Sequence, residues 1–373
     1  MVMGKKVKKL GAKFWLNVIA VILVIVVLFF SRDQLIDAWK NMENANLWIL
    51  LLLIPLQILS YYAKGMSIFS YLRGRGKLQK TKKSTMAAMA LELNFVNHVF
   101  PSGGLSGASY MVWRLGKKGI CAGQATMSQI VQYLSTMVAF ILLLMIALIV
   151  VAITNDASNF VVILSATFVT AIIFVIFFAS YLINDRKRLK SFARWLTRAI
   201  NKVVYAVTFH KKRRIFRRKQ AEKFFFDIHD DFIVIKKQKS LLIKPIVWSL
   251  VFIICDVMLF FVAFWALGVP VNPALVLIAY GAASMVGTFV TTPGGVGGFE
   301  GVMIIILGAW SAAGVVLARV ILIIGTLISG YVFYHLAIKN LGKPDFDKPI
   351  DLTPNDEIRE AKSDGKSAHT KCQ

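Results

Sequence analysis

The sequence predicts an all-α polytopic membrane protein with six spanning helices and two re-entrant helical hairpins, arranged as an inverted-topology repeat. Three observations predict it. The 373 residues are 57% apolar with a positive mean hydropathy, and several apolar runs reach about 18 residues or more, longer than a water-soluble core can use. Two further apolar regions are broken in the middle by Pro and Gly. The net charge of +25 is placed between the apolar runs rather than within them. Alternating segments of about ten residues, the mark of an outer-membrane barrel, do not occur.

The first expected span, Phe14–Phe30, follows Lys5, Lys6, Lys8, Lys9 and Lys13. It is longer than a signal-peptide core and lacks a small-x-small cleavage site, so it reads as a retained helix, although a signal anchor has the same appearance. Leu47–Tyr71, Gln124–Ile153, Phe160–Ile183, Leu241–Leu267 and Val315–Ile338 are the other uninterrupted runs, each long enough for roughly 30 Å of hydrocarbon. Ser84–Trp113 and Pro273–Trp310 are the broken ones.

Loop charge sets the sides, because Lys and Arg are retained on the cytoplasmic face. The N-terminus, Arg73–Lys83, Arg114–Lys118, Asn184–Lys239 and the tail from Lys339 are basic, whereas Thr154–Asn159 and Gly268–Asn272 carry no Lys or Arg. The chain is then cytoplasmic both before Ser84 and after Trp113, and outside both before Pro273 and after Trp310. Each broken region must enter and leave by one face, and the two enter from opposite faces. Both halves read as two spans, a hairpin and a span, with the second half inverted. Ser102-Gly-Gly-Leu-Ser-Gly107 aligns without gaps on Pro293-Gly-Gly-Val-Gly-Gly298. The expected organisation is one integral membrane domain over residues 1–342, with repeats at about 10–156 and 157–340 and a basic insertion at 184–239, then a polar, disordered cytoplasmic tail at 343–373.

Irregular backbone at membrane depth survives only when shielded by protein or lining a wet cavity, so both hairpin tips are expected to be interior. Helix ends there favour an anionic group. The competing reading makes the tips close-packing elbows. Ionisable residues inside apolar segments need partners, and here they are Glu92, His98, Asp256, Glu300, Arg319 and His335. Glu300 follows the Gly-rich stretch Thr291–Gly301, and Arg319 sits about a turn inside the last span. A Glu300–Arg319 pair facing the cavity is expected, either locking hairpin to helix or offering its guanidinium to a phosphate. The expected substrate-binding set is Glu300, Arg319, Asn97, Ser102, Gly103, Gly104, Pro293, Gly294, Gly295, Gly297 and Gly298. Asn94, His98, Ser106 and Ser109 add polar lining. His98 reads as a buried, satisfied histidine, and Glu92 and Asp256 rank below Glu300.

The insertion holds 18 Lys/Arg against 5 Asp/Glu over 184–239. Lys190, Arg194, Arg198 and Lys202 recur every four residues, with Leu189, Phe192, Leu196, Ile200 and Val203 on the other face. This predicts an amphipathic helix at anionic lipid headgroups, or simply a topology signal. Nucleic acid is not expected as a partner, since no nucleic-acid-binding fold presents those charges. Cys121, Cys255 and Cys372 are too few and scattered for a disulfide framework or a metal site, and no cofactor is expected.

Pro293-Gly-Gly-Val-Gly-Gly-Phe-Glu300 followed by Arg319, with Asn97-x-x-x-Pro101-x-x-Gly104 in the first half, resembles the lysylphosphatidylglycerol synthase transmembrane region family. This is the flippase-like domain also found at the membrane end of the multiple peptide resistance factor. The resemblance covers roughly Leu10 to Lys343 and implies a multi-pass inner-membrane protein, both termini cytoplasmic, that flips or handles lipid, with Glu300 and Arg319 at the family's acidic and basic positions. Many members carry Glu soon after the first-half Gly, where this chain has Leu105-Ser106-Gly107. A soluble aminoacyl-transfer domain is not expected, nor is enzymatic synthesis of lysyl-lipid. Translocation of a phospholipid or lipid-linked headgroup is therefore the leading expectation. A scaffold or accessory subunit for a glycosyltransferase or lipid-modifying enzyme comes second. An intramembrane transferase comes third, because no paired carboxylates or metal motif stand at the loop ends.

Overall fold

The computed structural model describes residues 45–100, 105–154, 159–207, 218–289 and 293–341. Among the described residues every regular element is a helix. The predicted first span, Phe14–Phe30, and the tail from 343 lie outside them.

The chain enters α1 (Leu47–Leu50) through Asn46, whose Oδ1 accepts from the Trp48 amide at 3.0 Å, and continues into α2 (Leu53–Gly74). Pro55 falls in the first turn of α2, where no intrahelical donor is lost. The helices α3 (Lys83–Val99) and α4 (Leu105–Gly116) are separated at Phe100, which is extended because it precedes Pro101. They are followed by α5 (Ala122–Thr154) and α6 (Asn159–Ile183). The basic insertion is α7 (Arg186–Val207) and α8 (Arg218–Lys237). The second half continues with α9 (Ile243–Ala266), α10 (Pro273–Phe289), α11 (Gly298–Leu307) and α12 (Ala312–Leu341). Asn272 caps α10 by accepting from Ala274 N at 2.9 Å, with Pro273 in the first helical position.

Among the described residues four helices are long and apolar enough to cross a bilayer: Leu47–Gly74, Ala122–Thr154, Lys239–Ala266 and Ala312–Leu341. A fifth is reached by joining Val169–Ile183 to Arg186–Arg198, two pieces bent by 106° at Asn184 and Asp185. Of the six predicted spans, the structure therefore supports four, or five with that bent pair. Exposed apolar side chains clothe them, among them Leu142, Met145, Ile146 and Ile149 on α5 and Phe174 and Phe177 on α6. Water would oppose such a contiguous surface, whereas acyl chains solvate it.

Both broken regions fold back as antiparallel helix pairs. In α3/α4, Asn97 meets Gly107 while Glu92 meets Tyr110 and Arg114; in α10/α11, Gly287 lies against Gly295 and Phe299, and Tyr280 meets Phe299 edge-on. At the centre α2 and α9 run antiparallel, since Asn46 donates to the Ala266 carbonyl at 2.9 Å while Ser60 reaches Asp256. Around that pair the packing is reciprocal. The first helix of each hairpin rests on the last long helix of the other half, α3 on α12 and α10 on α5.

Glycines permit both approaches. A Cβ on Gly281 would sit 1.7 Å from the Phe140 ring, and one on Gly330 would sit 2.4 Å from Phe95 Cβ and 3.1 Å from the Leu91 carbonyl oxygen. The Gly330 neighbours are close to or part of backbone, so they cannot swing aside. Gly330→Leu is expected to lower stability by about 1–3 kcal/mol, read as an earlier unfolding midpoint in detergent. An unchanged midpoint would show that α3 and α12 do not depend on this contact.

The insertion departs from its predicted form in one respect. The expected amphipathic helix is present as α7, but its apolar edge is shared with α8 rather than left wholly to lipid. Leu189, Ala193 and Thr197 are buried, Phe192 packs edge-on against Phe225 of α8 at 6.0 Å, and Trp195 remains exposed. On its other side α8 is tied to the body: Asp231 accepts from Arg75 at 2.7 Å, and His229 Nδ1 donates to the Ile183 carbonyl at 2.6 Å. Burial pushes the Asp231 carboxyl above its ordinary range, and Arg75 offsets part of that rise.

Candidate functional site

At the tip of the second hairpin the chain makes a 3₁₀ turn, Pro293–Gly295, and then enters α11. Gly294, Gly295 and Gly297 have φ of 65°, 70° and 92°, a left-handed path that a Cβ would strain. Glu300 in the first turn of α11 accepts from the Gly297 amide through Oε2 at 2.6 Å, a capping-box arrangement that satisfies one of the orphan amides. Its other oxygen, Oε1, accepts from Arg319 Nε at 2.5 Å. Arg319 also donates through Nη2 to the Gly294 carbonyl at 2.7 Å, and its guanidinium lies over the Phe299 ring at 4.5 Å. One arginine on α12 thus holds the tip by an ion pair, a backbone carbonyl and a ring face. Side-chain exposure is 11% for Arg319 and 14% for Glu300.

The first hairpin has its own ionic lock. Glu92, 2% exposed, accepts through Oε2 from Arg114 Nε at 2.8 Å and from the Tyr110 hydroxyl at 2.8 Å. Arg114 Nη2 approaches Oε1 at 3.4 Å. Arg114 belongs by sequence to a basic loop, yet α4 runs past it to Gly116 and buries it. Asn97 accepts from the Gly107 amide at 3.1 Å and so closes its own hairpin rather than reaching Glu300 or Arg319. Asn94 and His98 bond to carbonyls of their own helix, Ala90 at 2.9 Å and Asn94 at 2.8 Å respectively. Ser102, Gly103 and Gly104 lie outside the described residues. His335 is exposed on α12 and stacks on Tyr331 at 5.8 Å.

The two tips meet. Gly294 faces the His98 ring so closely that a Cβ would stand 3.0 Å from its Cδ2. Behind this junction, Asp256 of α9 accepts from Ser60 of α2 and, at 2.6 Å, from Tyr280 of α10, so one carboxylate bridges both halves. Tyr61 of α2 pairs with Thr326 of α12, and Gln57 donates to the Leu322 carbonyl at 2.6 Å. Lys64 of α2, half-buried, lies over the Phe252 ring at 5.3 Å, one turn along α9 from Asp256. Sequence reasoning missed Lys64 because it counts as one polar residue within an otherwise acceptable span. The available signal was its register: Gln57, Ser60, Tyr61, Lys64, Ser67 and Tyr71 fall at helical spacing on one stripe of α2.

Glu300, Arg319, Gly294, Gly295, Gly297 and Gly298 therefore come together, Pro293 opens their turn, and Asn97 stands apart within the opposing hairpin. Among the described residues no group of three or more His, Cys, Asp or Glu is placed to hold a metal ion. No curated protein and no solved structure matches the chain. A family model described as "Lysylphosphatidylglycerol synthase TM region" matches residues 15–334. With that match covering most of its length, and with apolar helices fit to cross a bilayer, the chain is a lipid-related membrane protein belonging to the lysylphosphatidylglycerol synthase TM region family.

Proposed function

We propose that this protein translocates a phospholipid or lipid-linked headgroup across the bilayer through the polar junction between its two hairpin tips. One observation carries the proposal: tips from the two halves meet beside charged and hydroxyl side chains that apolar helices otherwise surround. A headgroup needs such a path, because hydrocarbon offers its charges and hydrogen-bonding groups no partners. The acyl chains stay in lipid against the exposed apolar faces.

The reciprocal packing of α3 on α12 and α10 on α5 supports an inverted repeat with two re-entrant hairpins, the arrangement in which rocking of one half against the other alternates access. Glu300 and Arg319 keep the second tip in register while the junction opens to either side. The basic face of α7 adds a surface for anionic headgroups near the entrance, with Lys190, Arg194 and Arg198 along it. The membrane in question is the inner membrane, with both termini cytoplasmic, as the loop charges imply.

The test is reconstitution in liposomes carrying headgroup-labelled phospholipid on one leaflet, with labelled lipid accessibility followed over time. Parent protein is expected to equilibrate the label, and Glu300→Gln to slow it by about tenfold or more, since one buried charge-assisted contact is removed. Inserted protein that moves no phospholipid and no lipid-linked sugar overturns translocation and favours the scaffold reading.

A further inference from the structure

We infer that Lys64 is the group that binds the phosphate of the translocated headgroup, and that Asp256 is its counter-charge when no lipid is present. This rests on the translocation reading above and assigns its substrate class as a phosphate-bearing, acceptor-rich anion.

The cations of the interior are used differently. Arg114 is spent on Glu92. Arg319 has Glu300 at 2.5 Å, the Gly294 carbonyl at 2.7 Å and Phe299 against its face, so its charge is compensated at contact distance. Lys64 differs: among the described residues its ammonium has no hydrogen-bond or ion-pair partner and lies over the Phe252 ring. Three N–H donors without an acceptor at membrane depth make a site for a group rich in acceptor oxygens, and a phosphate is such a group.

Position excludes the ordinary explanation of a membrane lysine. Lys64 precedes Arg75, at the end of α2, by eleven residues, or about 16 Å of helix rise. That is far beyond the reach of a side chain snorkelling to the interface. The stripe it shares with Ser60 and Tyr61 turns it toward α9 and the tips, not toward lipid.

The groups facing Lys64 set the sign of the argument. Asp256 lies one turn along α9 from Phe252, the ring under Lys64, and already accepts from Ser60 of α2 and Tyr280 of α10. The His98 ring at the first tip and the Arg319 guanidinium both meet Gly294, and Tyr61 lies on α2 itself. A phosphate arriving at Lys64 competes with Asp256 as its counter-charge. Removing the Asp256 charge therefore strengthens anion binding, while removing the Lys64 charge abolishes it. A role for Lys64 in packing alone predicts no such opposite signs.

The experiment measures equilibrium binding to purified full-length protein in detergent. The probes are dihexanoyl phosphatidylglycerol, dihexanoylglycerol with the same chains and no phosphate, and inorganic phosphate. Lys64→Met is expected to weaken phosphatidylglycerol binding by about ten- to a hundredfold, the loss of one charge-assisted contact, and to leave dihexanoylglycerol unchanged. Lys64→Arg is expected to restore most of the affinity, and Asp256→Asn to tighten it. Thermal unfolding of each variant separates loss of binding from loss of fold.

Phosphatidylglycerol bound by a folded Lys64→Met variant as tightly as by the parent overturns the assignment. So does an Asp256→Asn variant that weakens binding, or a parent that binds none. Inorganic phosphate competing at the same concentration as the lipid overturns the lipid assignment in favour of a free-anion site. A parent that binds phosphatidylglycerol through Lys64 but moves no lipid in liposomes would remove the transport reading and leave the site itself standing.

Discussion

An Arg114→Met variant is expected to lose about 3–5 kcal/mol of stability, because it strands a buried carboxylate. Glu92 is 2% exposed and Arg114 8%, so neither charge is reached by solvent that could replace its partner. With Arg114 gone, the Tyr110 hydroxyl is the remaining side-chain donor to Glu92 among the described residues, and a neutral donor compensates a carboxylate poorly. The two legs of the first hairpin then lose their ionic tie. Making Glu92→Gln in the same protein is expected to recover most of the loss, since an amide still accepts from Tyr110 and carries no charge to desolvate. Reversible unfolding of both single variants and the double variant in detergent gives the coupling energy. Equal stability of parent and Arg114→Met would show that the pair contributes nothing.

Arg319→Met is expected to be similarly severe, about 3 kcal/mol, and its effect should concentrate at the second tip. Three contacts disappear together: Glu300 at 2.5 Å, the Gly294 carbonyl at 2.7 Å and the Phe299 ring. Glu300 keeps its cap on the Gly297 amide, so α11 retains its start while the turn before it loses its tether to α12. Amide hydrogen exchange across 294–301 should speed up markedly more than exchange in α5 or α9. Arg319→Lys is expected to fall between the two, because an ammonium satisfies Glu300 but cannot span Glu300 and Gly294 with a planar fork. Unchanged exchange at the tip in Arg319→Met would remove the anchoring role.

The two helix breaks could be foreseen because their cause is local. Pro101 and the glycines around 294–298 end a helix whatever surrounds them, and the extended Phe100 and positive φ values are the result. Arg319 and Glu300 could be matched because each is an isolated charge in an apolar setting, with few partners to choose from. Arg114 was harder. It stands beside Lys117 and Lys118, and the loop charge that reports topology masks a residue whose guanidinium turns back to Glu92. Lys64 was hidden for the opposite reason, as a single charge diluted by the hydropathy of α2. For the insertion, the spacing of Lys190, Arg194 and Arg198 fixed a helix, but nothing in that spacing states that α8 covers part of its apolar edge.

By itself the sequence determined that this chain is helical, apolar enough for a bilayer, and broken at two places by residues that cannot continue a helix. Those properties follow from hydropathy and backbone sterics, which act over a few residues. Only the tertiary structure decided that His98 of one broken region sits against Gly294 of the other, that α2 and α9 pair at the centre, and that Glu92 takes Arg114 and Asp256 takes Ser60 and Tyr280 as partners. Those outcomes depend on contacts between residues apart in the chain, where Glu92 and Arg114, or Asp256 and Ser60, find one another because a buried charge is stable only beside its partner.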